Sequence, residues 1–156
     1  MSHLPAAPPA VAPGPLNHVA LPTTDPQRGA RFYFDVLGFT ETPRPGFSFG
    51  GSWLWRPETG VMIHLIEDAS HQADLQSPIN TRTSHLAFQT ANYDQACRRL
   101  TEHRVAYVER VLPDYGYRQA FFRDPDGNVI ELGEWPEPAT MLAATPGNSS
   151  RPIQET

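Results

Sequence analysis

Two similar stretches decide the fold: Gly60-Val-Met-Ile-His64-Leu-Ile-Glu67 and Gly127-Asn-Val-Ile-Glu131-Leu-Gly-Glu134. Each begins with a glycine that suits a turn and continues as a strand in which one polar residue lies between large apolar neighbours. The polar residues, His64 and Glu131, are 67 positions apart. The two stretches therefore look like the last strands of two related units.

A second pair of positions has the same separation. His18 and His85 are also 67 positions apart, and each precedes an apolar residue at the start of a predicted strand. A constant offset at both ends of a segment indicates an internal duplication. The sequence therefore predicts two copies of one unit, with these histidines at equivalent places.

The patterns between these landmarks predict the order β-α-β-β-β in each copy. Strict alternation predicts a strand over 16–21. Asp25, Pro26 and Gly38 predict a helix, because Asp caps a helix, Pro suits its first turn and Gly suits its end. Strands at 39–43, 47–55 and 61–67 complete the first copy. The second copy is predicted as a strand at 83–90, a helix at 93–103 capped by Asn92, and strands at 105–111, 119–123 and 129–134.

We expect an α+β fold in which two βαβββ modules form a curved mixed-sheet cavity. The expected segments are a disordered Pro-rich arm at 1–15, the first module at 16–67, a linker at 68–80, the second module at 81–135 and a Pro-rich tail at 136–156. Nine of the 17 prolines lie in the arm and the tail, which favours solvated segments there.

Composition excludes several classes of function. A net charge of −5 and a pI near 5.6 argue against a nucleic-acid binder. No apolar run approaches the ~20 residues of a membrane span, and the N-terminus does not resemble a signal peptide. The single cysteine, Cys97, fits a reducing compartment, so we expect a cytoplasmic protein.

Four polar side chains stand on otherwise apolar strands: His18, His64, His85 and Glu131. A carboxylate in such a place is costly to bury unless it is paired or binds a metal. One histidine of this kind is more often a core residue held by a hydrogen bond, but four in register with a repeat favour a metal site. Packed face to face, the two copies would bring the four to one centre suited to zinc, nickel, iron or manganese.

The chain resembles the vicinal-oxygen-chelate superfamily, which includes glyoxalase I, extradiol dioxygenases, fosfomycin-resistance transferases and bleomycin-binding proteins. The resemblance covers about 16–135. It rests on the duplicated βαβββ unit and on three segments: Asn17-His-Val-Ala-Leu21, Phe32-Tyr-Phe-Asp-Val-Leu-Gly-Phe39 and Phe122-Arg-Asp-Pro-Asp-Gly-Asn-Val-Ile-Glu-Leu132.

The resemblance implies that His18, His64, His85 and Glu131 are the metal ligands. It also implies a chemistry in which two neighbouring substrate oxygens chelate a divalent metal, as in the enediolate-like intermediate of a glyoxalase I-like lyase or isomerase. Glyoxalase I usually carries a glutamate at the place of His64. Here Glu131 or an unligated His64 must therefore be the base.

Two alternatives stay open. An Fe(II)-dependent extradiol-type dioxygenase needs two histidines and one carboxylate, which this set supplies if His64 stands off. A small-molecule-binding or resistance protein of the same fold would need no catalytic metal. For fosfomycin transferases, the phosphonate contacts are replaced here by Val111, Tyr115 and Phe121, which argues against that substrate.

The substrate is expected to be a small molecule. Candidate substrate-binding residues are the aromatic and basic side chains predicted near the centre, Trp53, Trp55, Tyr115, Tyr117 and Arg118. For the tryptophans the competing interpretation is core packing, and for the arginine a solvated position. The resemblance favours a homodimer, and the sequence leaves open whether the site is built within one chain or shared between two.

Overall fold

The computed structural model of the chain describes residues 10–113 and 115–136. In chain order the elements are β1 (Val19–Thr23), α1 (Pro26–Leu37), β2 (Thr40–Thr42), β3 (Gly51–Arg56), β4 (Val61–Glu67), β5 (Leu86–Gln89), α2 (Tyr93–Glu102), β6 (Tyr107–Val111), β7 (Arg118–Arg123) and β8 (Val129–Gly133). Most of the predicted arm and tail, residues 1–9 and 137–156, lies outside the described residues.

The strands form two four-stranded sheets with the same topology. Their orders are β1-β4-β3-β2 and β5-β8-β7-β6. In each sheet the first strand pairs in parallel with the last, and the other pairs are antiparallel. The predicted α+β class and the duplicated βαβββ order are confirmed.

Both helices begin where the sequence predicted; α1 ends at the predicted glycine, and α2 ends one residue earlier than predicted, at Glu102. The Asp25 carboxylate accepts hydrogen bonds from the backbone N–H groups of Gln27 and Arg28, both at 3.1 Å, and Gly38 closes α1 in the left-handed conformation with φ 71°. The Asn92 side chain caps the start of α2 by accepting a hydrogen bond from the backbone N–H of Gln95 at 2.9 Å. No helix within the described residues is long and apolar enough to cross a membrane.

Five of the eight described strands begin later than predicted, and the starts of β1, β5 and β3 affect the candidate site. Pairing of β1 with β4 starts at Val19 and pairing of β5 with β8 starts at Leu86, so His18 and His85 immediately precede their strands. The strand predicted over 47–55 is shorter, because β3 starts only at Gly51 and the Phe47 ring stacks on the Phe49 ring in the loop before it.

The helix-covered faces of both sheets meet in one hydrophobic core. Tyr33 on α1, Leu54 on β3 and Phe122 on β7 are all at most 1 % exposed and belong to this core. Aromatic contacts cross between the two units, with the Phe39 and Phe88 ring centroids 6.0 Å apart. The two units therefore pack through their helix sides.

A buried polar latch also joins the units. The Asp126 carboxylate, in the turn before β8, accepts hydrogen bonds from the side chain of Thr23 at 2.6 Å, the backbone N–H of Thr24 at 2.9 Å and the guanidinium of Arg28 at 2.6 Å. His71 lies in the segment predicted as the linker, 68–80. Its Nε2 lies 2.7 Å from the backbone oxygen of Asp126, because the linker folds back over this turn.

Candidate functional site

The first cluster of predicted site residues lies on the sheet of the first unit, on the face opposite the helices. The ring centroids of His18 and His64 are 4.0 Å apart with planes inclined by 16°. Trp53, which pairs with His64 across β3 and β4, stacks on the other side of the His64 ring at 4.3 Å. The three rings therefore form one stacked row, with His64 in the middle.

The two histidines of this cluster are held differently. The Nδ1 atom of His18 lies 2.8 Å from Oδ1 of Asn17; an amide oxygen only accepts, so Nδ1 carries the proton and Nε2 keeps its lone pair. Nε2 of His64 lies 3.1 Å from the sulfur of Met62, a weak partner. Burial, and then the repulsion that a protonated His64 would meet from a protonated His18, lower the pKa of His64, which favours the neutral imidazole that a metal requires.

The second cluster lies on the sheet of the second unit. Nε2 of His85 is 3.0 Å from Oε2 of Glu131, and Nδ1 of His85 is 2.7 Å from the backbone oxygen of Thr83. Because a carbonyl only accepts, Nδ1 carries the proton and the Nε2 lone pair faces the carboxylate. A proton shared by these two atoms, or a metal ion bound beside both of them, would remove the repulsion between the lone pair and the carboxylate.

Glu131 is buried, with only 2 % of its surface exposed. Its Oε1 atom accepts two hydrogen bonds of 2.8 Å, one from Nε2 of Gln119 and one from Nε1 of Trp135. These two donors satisfy one oxygen and leave Oε2 for His85. Phe121, which pairs with Glu131 across β7 and β8, packs edge-on against the His85 ring at 5.5 Å.

The four predicted ligands form two pairs, not one centre. In residues 10–113 and 115–136, no three His, Cys, Asp or Glu side chains lie close enough together to hold a metal ion. The sequence left open whether the four residues meet within one chain or between two, and within the described part of this chain they do not meet. The reason is the shared core: the helix sides meet, while the edge strands β1 and β5 flank a cleft of about 550 Å³.

Each pair nevertheless fits half of a metal site. In both His18 and His85 the Nδ1–H group donates a hydrogen bond to an oxygen atom, and this arrangement leaves Nε2 free to bind a metal. Oε2 of Glu131 is the anionic donor, and the neutral His64 adds a third imidazole. Together the pairs would supply three nitrogens and one oxygen, a set that suits zinc, nickel, iron or manganese.

The predicted substrate-binding residues are divided among different places. Trp53 stands beside His64, and Trp55 follows two residues along the same strand. The Tyr115 and Tyr117 rings stack at 5.9 Å, and Tyr117 lies 6.3 Å from Trp135. The guanidinium of Arg118 is engaged in ion pairs of 2.8 Å with Glu134 and 2.7 Å with Asp94, so it is already neutralised by carboxylates.

Sequence reasoning missed several residues at the two clusters. Gln119 lies two residues from Phe121 on the same strand, and Phe121 pairs with Glu131. Strand alternation therefore places Gln119 on the same sheet face as Glu131, and the sequence could have predicted this. Trp135 follows the last strand, where no periodicity applies. Phe47 and Phe49 were interpreted as strand residues, yet they extend the aromatic row, with the Phe47 ring 6.2 Å from that of Trp53. The Arg44 guanidinium lies over both phenylalanine rings.

Comparisons with known proteins agree with this architecture. Residues 15–132 match the family described as Glyoxalase/Bleomycin resistance protein/Dioxygenase superfamily. The chain is 32 % identical over 121 residues to Glyoxylase I 4 of Arabidopsis thaliana, covering 75 % of this chain and 68 % of that protein.

Solved structures show the same fold. A glyoxalase/dioxygenase from Nostoc punctiforme is 26 % identical with a TM-score of 0.66, covering 85 % of this chain and 100 % of that one. The fosfomycin resistance protein FosX from Listeria monocytogenes gives a TM-score of 0.68 at 19 % identity, covering 85 % of this chain and 99 % of that one.

Proposed function

Because the chain belongs to the Glyoxalase/Bleomycin resistance protein/Dioxygenase superfamily, we propose that it is a metal-dependent lyase or isomerase of the glyoxalase I-like class. The ligands are His18, His64, His85 and Glu131. The observation that carries the proposal is the Oε2 atom of Glu131, which lies 3.0 Å from an imidazole nitrogen whose lone pair faces it. This arrangement needs a cation, and a divalent metal fits it.

Many members of this superfamily are enzymes, and proteins of this fold bind small molecules and often form dimers. We assign this chain a homodimer in which His18 and His64 of one protomer face His85 and Glu131 of its partner. Each dimer then holds two complete sites, related by the two-fold axis. This arrangement accounts for the separation of the two pairs within a single chain.

The protein residues have distinct roles in this proposal. When bound, the metal acts as a Lewis acid that stabilises negative charge on two neighbouring substrate oxygens. Glu131 supplies the only anionic ligand, and the proton removed from carbon beside the substrate carbonyl goes to Glu131 or to His64. Trp53 forms an apolar wall beside His64, where it would exclude water and orient the substrate.

Two variants test both the metal site and its sharing between chains. His18→Gln breaks the first pair, and Glu131→Gln breaks the second. Each variant alone is expected to lose metal and metal-dependent turnover. Mixing them under conditions of subunit exchange should restore about a quarter of the wild-type sites, because half of the dimers are heterodimers and each carries one intact site. Separate sites within each chain would give no restoration.

Elemental analysis of protein purified without chelator comes first. It is followed by a turnover screen with hemithioacetals, CoA thioesters and catechols. Zinc or nickel with turnover of a hemithioacetal or a thioester supports the proposal. Absence of bound metal combined with tight binding of a small molecule would favour the resistance-type alternative, which the fold likeness to FosX also fits.

One observation favours a second candidate function, an Fe(II)-dependent extradiol-type dioxygenase. Among the four ligands, His64 has the weakest partner, the thioether of Met62. If His64 does not coordinate the metal, two histidines and one carboxylate remain as ligands, which is the ligand set of non-haem iron oxygenases. Catechol turnover that requires both Fe(II) and oxygen would establish this function in place of the first.

A further inference from the structure

We propose that Gln119 and Trp135 are positioning residues that fix Glu131 as a one-oxygen metal ligand. This inference rests on the proposed metal site and adds the two side chains that orient its only anionic member. Neither residue was among the predicted site residues, and neither can bind a metal through the nitrogen it uses here, because both nitrogens are donors.

The hydrogen bonds to Glu131 are distributed unequally. Both donors, Nε2 of Gln119 and Nε1 of Trp135, lie 2.8 Å from the same oxygen, Oε1. Hydrogen bonds to a charged acceptor are the stronger kind. If the two residues only satisfied a buried carboxylate, one donor on each oxygen would serve as well. Placing both on Oε1 prevents the carboxylate from turning and leaves Oε2 facing His85.

Gly133 provides an independent observation. The Trp135 indole folds back over this residue, and a Cβ at Gly133 would lie 2.6 Å from Cδ1 of the indole and would collide with its Nε1. The lack of a side chain at this position is therefore what lets the indole reach Glu131. Gly133 also pairs with Gln119 in the β7–β8 register, so both donors reach Glu131 across the same backbone position.

The substitutions follow from this geometry. Trp135→Phe removes the N–H but keeps an aromatic ring, and Gln119→Met removes the amide but keeps a chain of similar length. Gly133→Ala keeps both donors and displaces the indole sterically. Phe122→Leu serves as the matched control, because Phe122 is 0 % exposed on the helix side of the same strand as Gln119; it lowers stability without touching Glu131.

The measurement is Zn²⁺ affinity by competition with a chromophoric chelator, with the melting temperature of each metal-free protein recorded in parallel. Trp135→Phe, Gln119→Met and Gly133→Ala should each weaken Zn²⁺ binding by about the 10–100-fold typical of lost partners of metal ligands. Phe122→Leu should melt at a lower temperature yet bind Zn²⁺ as the wild type does.

If the wild type binds Zn²⁺ and both Trp135→Phe and Gln119→Met bind it with the same affinity, this assignment is overturned while the proposed metal site stands. An affinity loss in Phe122→Leu equal to theirs would also overturn it, because lowered stability alone would then explain the effect. If the wild type itself fails to bind Zn²⁺, Ni²⁺, Mn²⁺ or Fe²⁺, the proposed function fails, and the assignment fails with it.

Discussion

The Asp126 latch offers the sharpest test of how the two units are held together. Asp126 is 1 % exposed, and Asp126→Ala would remove the acceptor of the Thr23 hydroxyl, in a residue that is 0 % exposed, and of the N–H and hydroxyl of Thr24. The Thr24 side chain is exposed and its hydroxyl can turn to water, which leaves the Thr23 hydroxyl and the Thr24 N–H as the groups that lose most. A buried polar group left unpaired costs about 1–3 kcal/mol. Arg28 adds little, since its side chain is 47 % exposed and can turn to water. We therefore expect Asp126→Ala to lower the free energy of unfolding by about 3–5 kcal/mol.

Asp126→Asn should be milder. Its amide oxygen can still accept from Thr24, and its NH₂ group can donate to the Thr23 hydroxyl, which both donates and accepts. The expected loss is about 1–2 kcal/mol, mainly from weaker hydrogen bonds to a neutral acceptor. Urea unfolding of the wild type and both variants, followed by circular dichroism, gives the three free energies.

The difference between wild type and Asp126→Asn should also depend on pH. Burial raises the pKa of Asp126, but hydrogen bonds from Thr23 and Thr24 and the charge of Arg28 outweigh it and lower the pKa below its usual value. A lowered pKa in the folded state stabilises the protein above the unfolded pKa of about 3.9, and this contribution disappears as the pH falls through the folded value. Equal losses in the Asn and Ala variants, independent of pH, would refute this account.

Three further predictions concern the site, the core and a helix end. Glu131→Gln should lower metal affinity by about 10–100-fold or more and abolish turnover, because it removes the only anionic ligand. His64→Gln should be milder, because two imidazoles and the carboxylate remain; metal content and melting temperature of both decide this, and the reverse order would contradict the roles assigned. Tyr33→Phe should cost about 1–2 kcal/mol in urea unfolding, because the Tyr33 hydroxyl donates to the buried carboxylate of Asp124 at 3.0 Å. Gly38→Ala should cost about 1–2 kcal/mol, because the residue has φ 71°; an unchanged melting temperature would contradict this reason.

The fold could be predicted because local and periodic signals agreed. The caps at Asp25 and Asn92 and the glycine at 38 set the helix ends, and alternation set the strands. β4 has the predicted bounds, Val61–Glu67. The error at 47–50 arose because aromatic residues favour strands, while here Phe47 and Phe49 stack on each other under Arg44 in a loop.

The members of the candidate site could be selected from the sequence, but their grouping could not. The offset of 67 placed His18 with His85 and His64 with Glu131 as equivalents. Equivalent residues in a repeat need not touch, and here each contacts the other ligand of its own unit. Grouping depends on which sheet faces pack together, and both faces of a half-buried sheet carry aromatic residues in this chain. Trp135 could not be predicted for another reason. Its hydrogen bond to Glu131 depends on how the chain turns after β8 and on the space left by the missing side chain at Gly133.

The separation of the two pairs has a thermodynamic consequence under the proposed dimer. A metal that takes ligands from both protomers binds the dimer and not the separated chains, so it must strengthen association by the same free energy that association adds to metal binding. At metal concentrations about 100-fold above the dissociation constant, each site would add about 2.7 kcal/mol to the stability of the dimer. Sedimentation velocity with Zn²⁺ and with chelator should therefore show tighter self-association with metal, and Glu131→Gln should remove the difference. If the wild type binds Zn²⁺ but its self-association is equally strong with and without the metal, the ligands do not come from both chains.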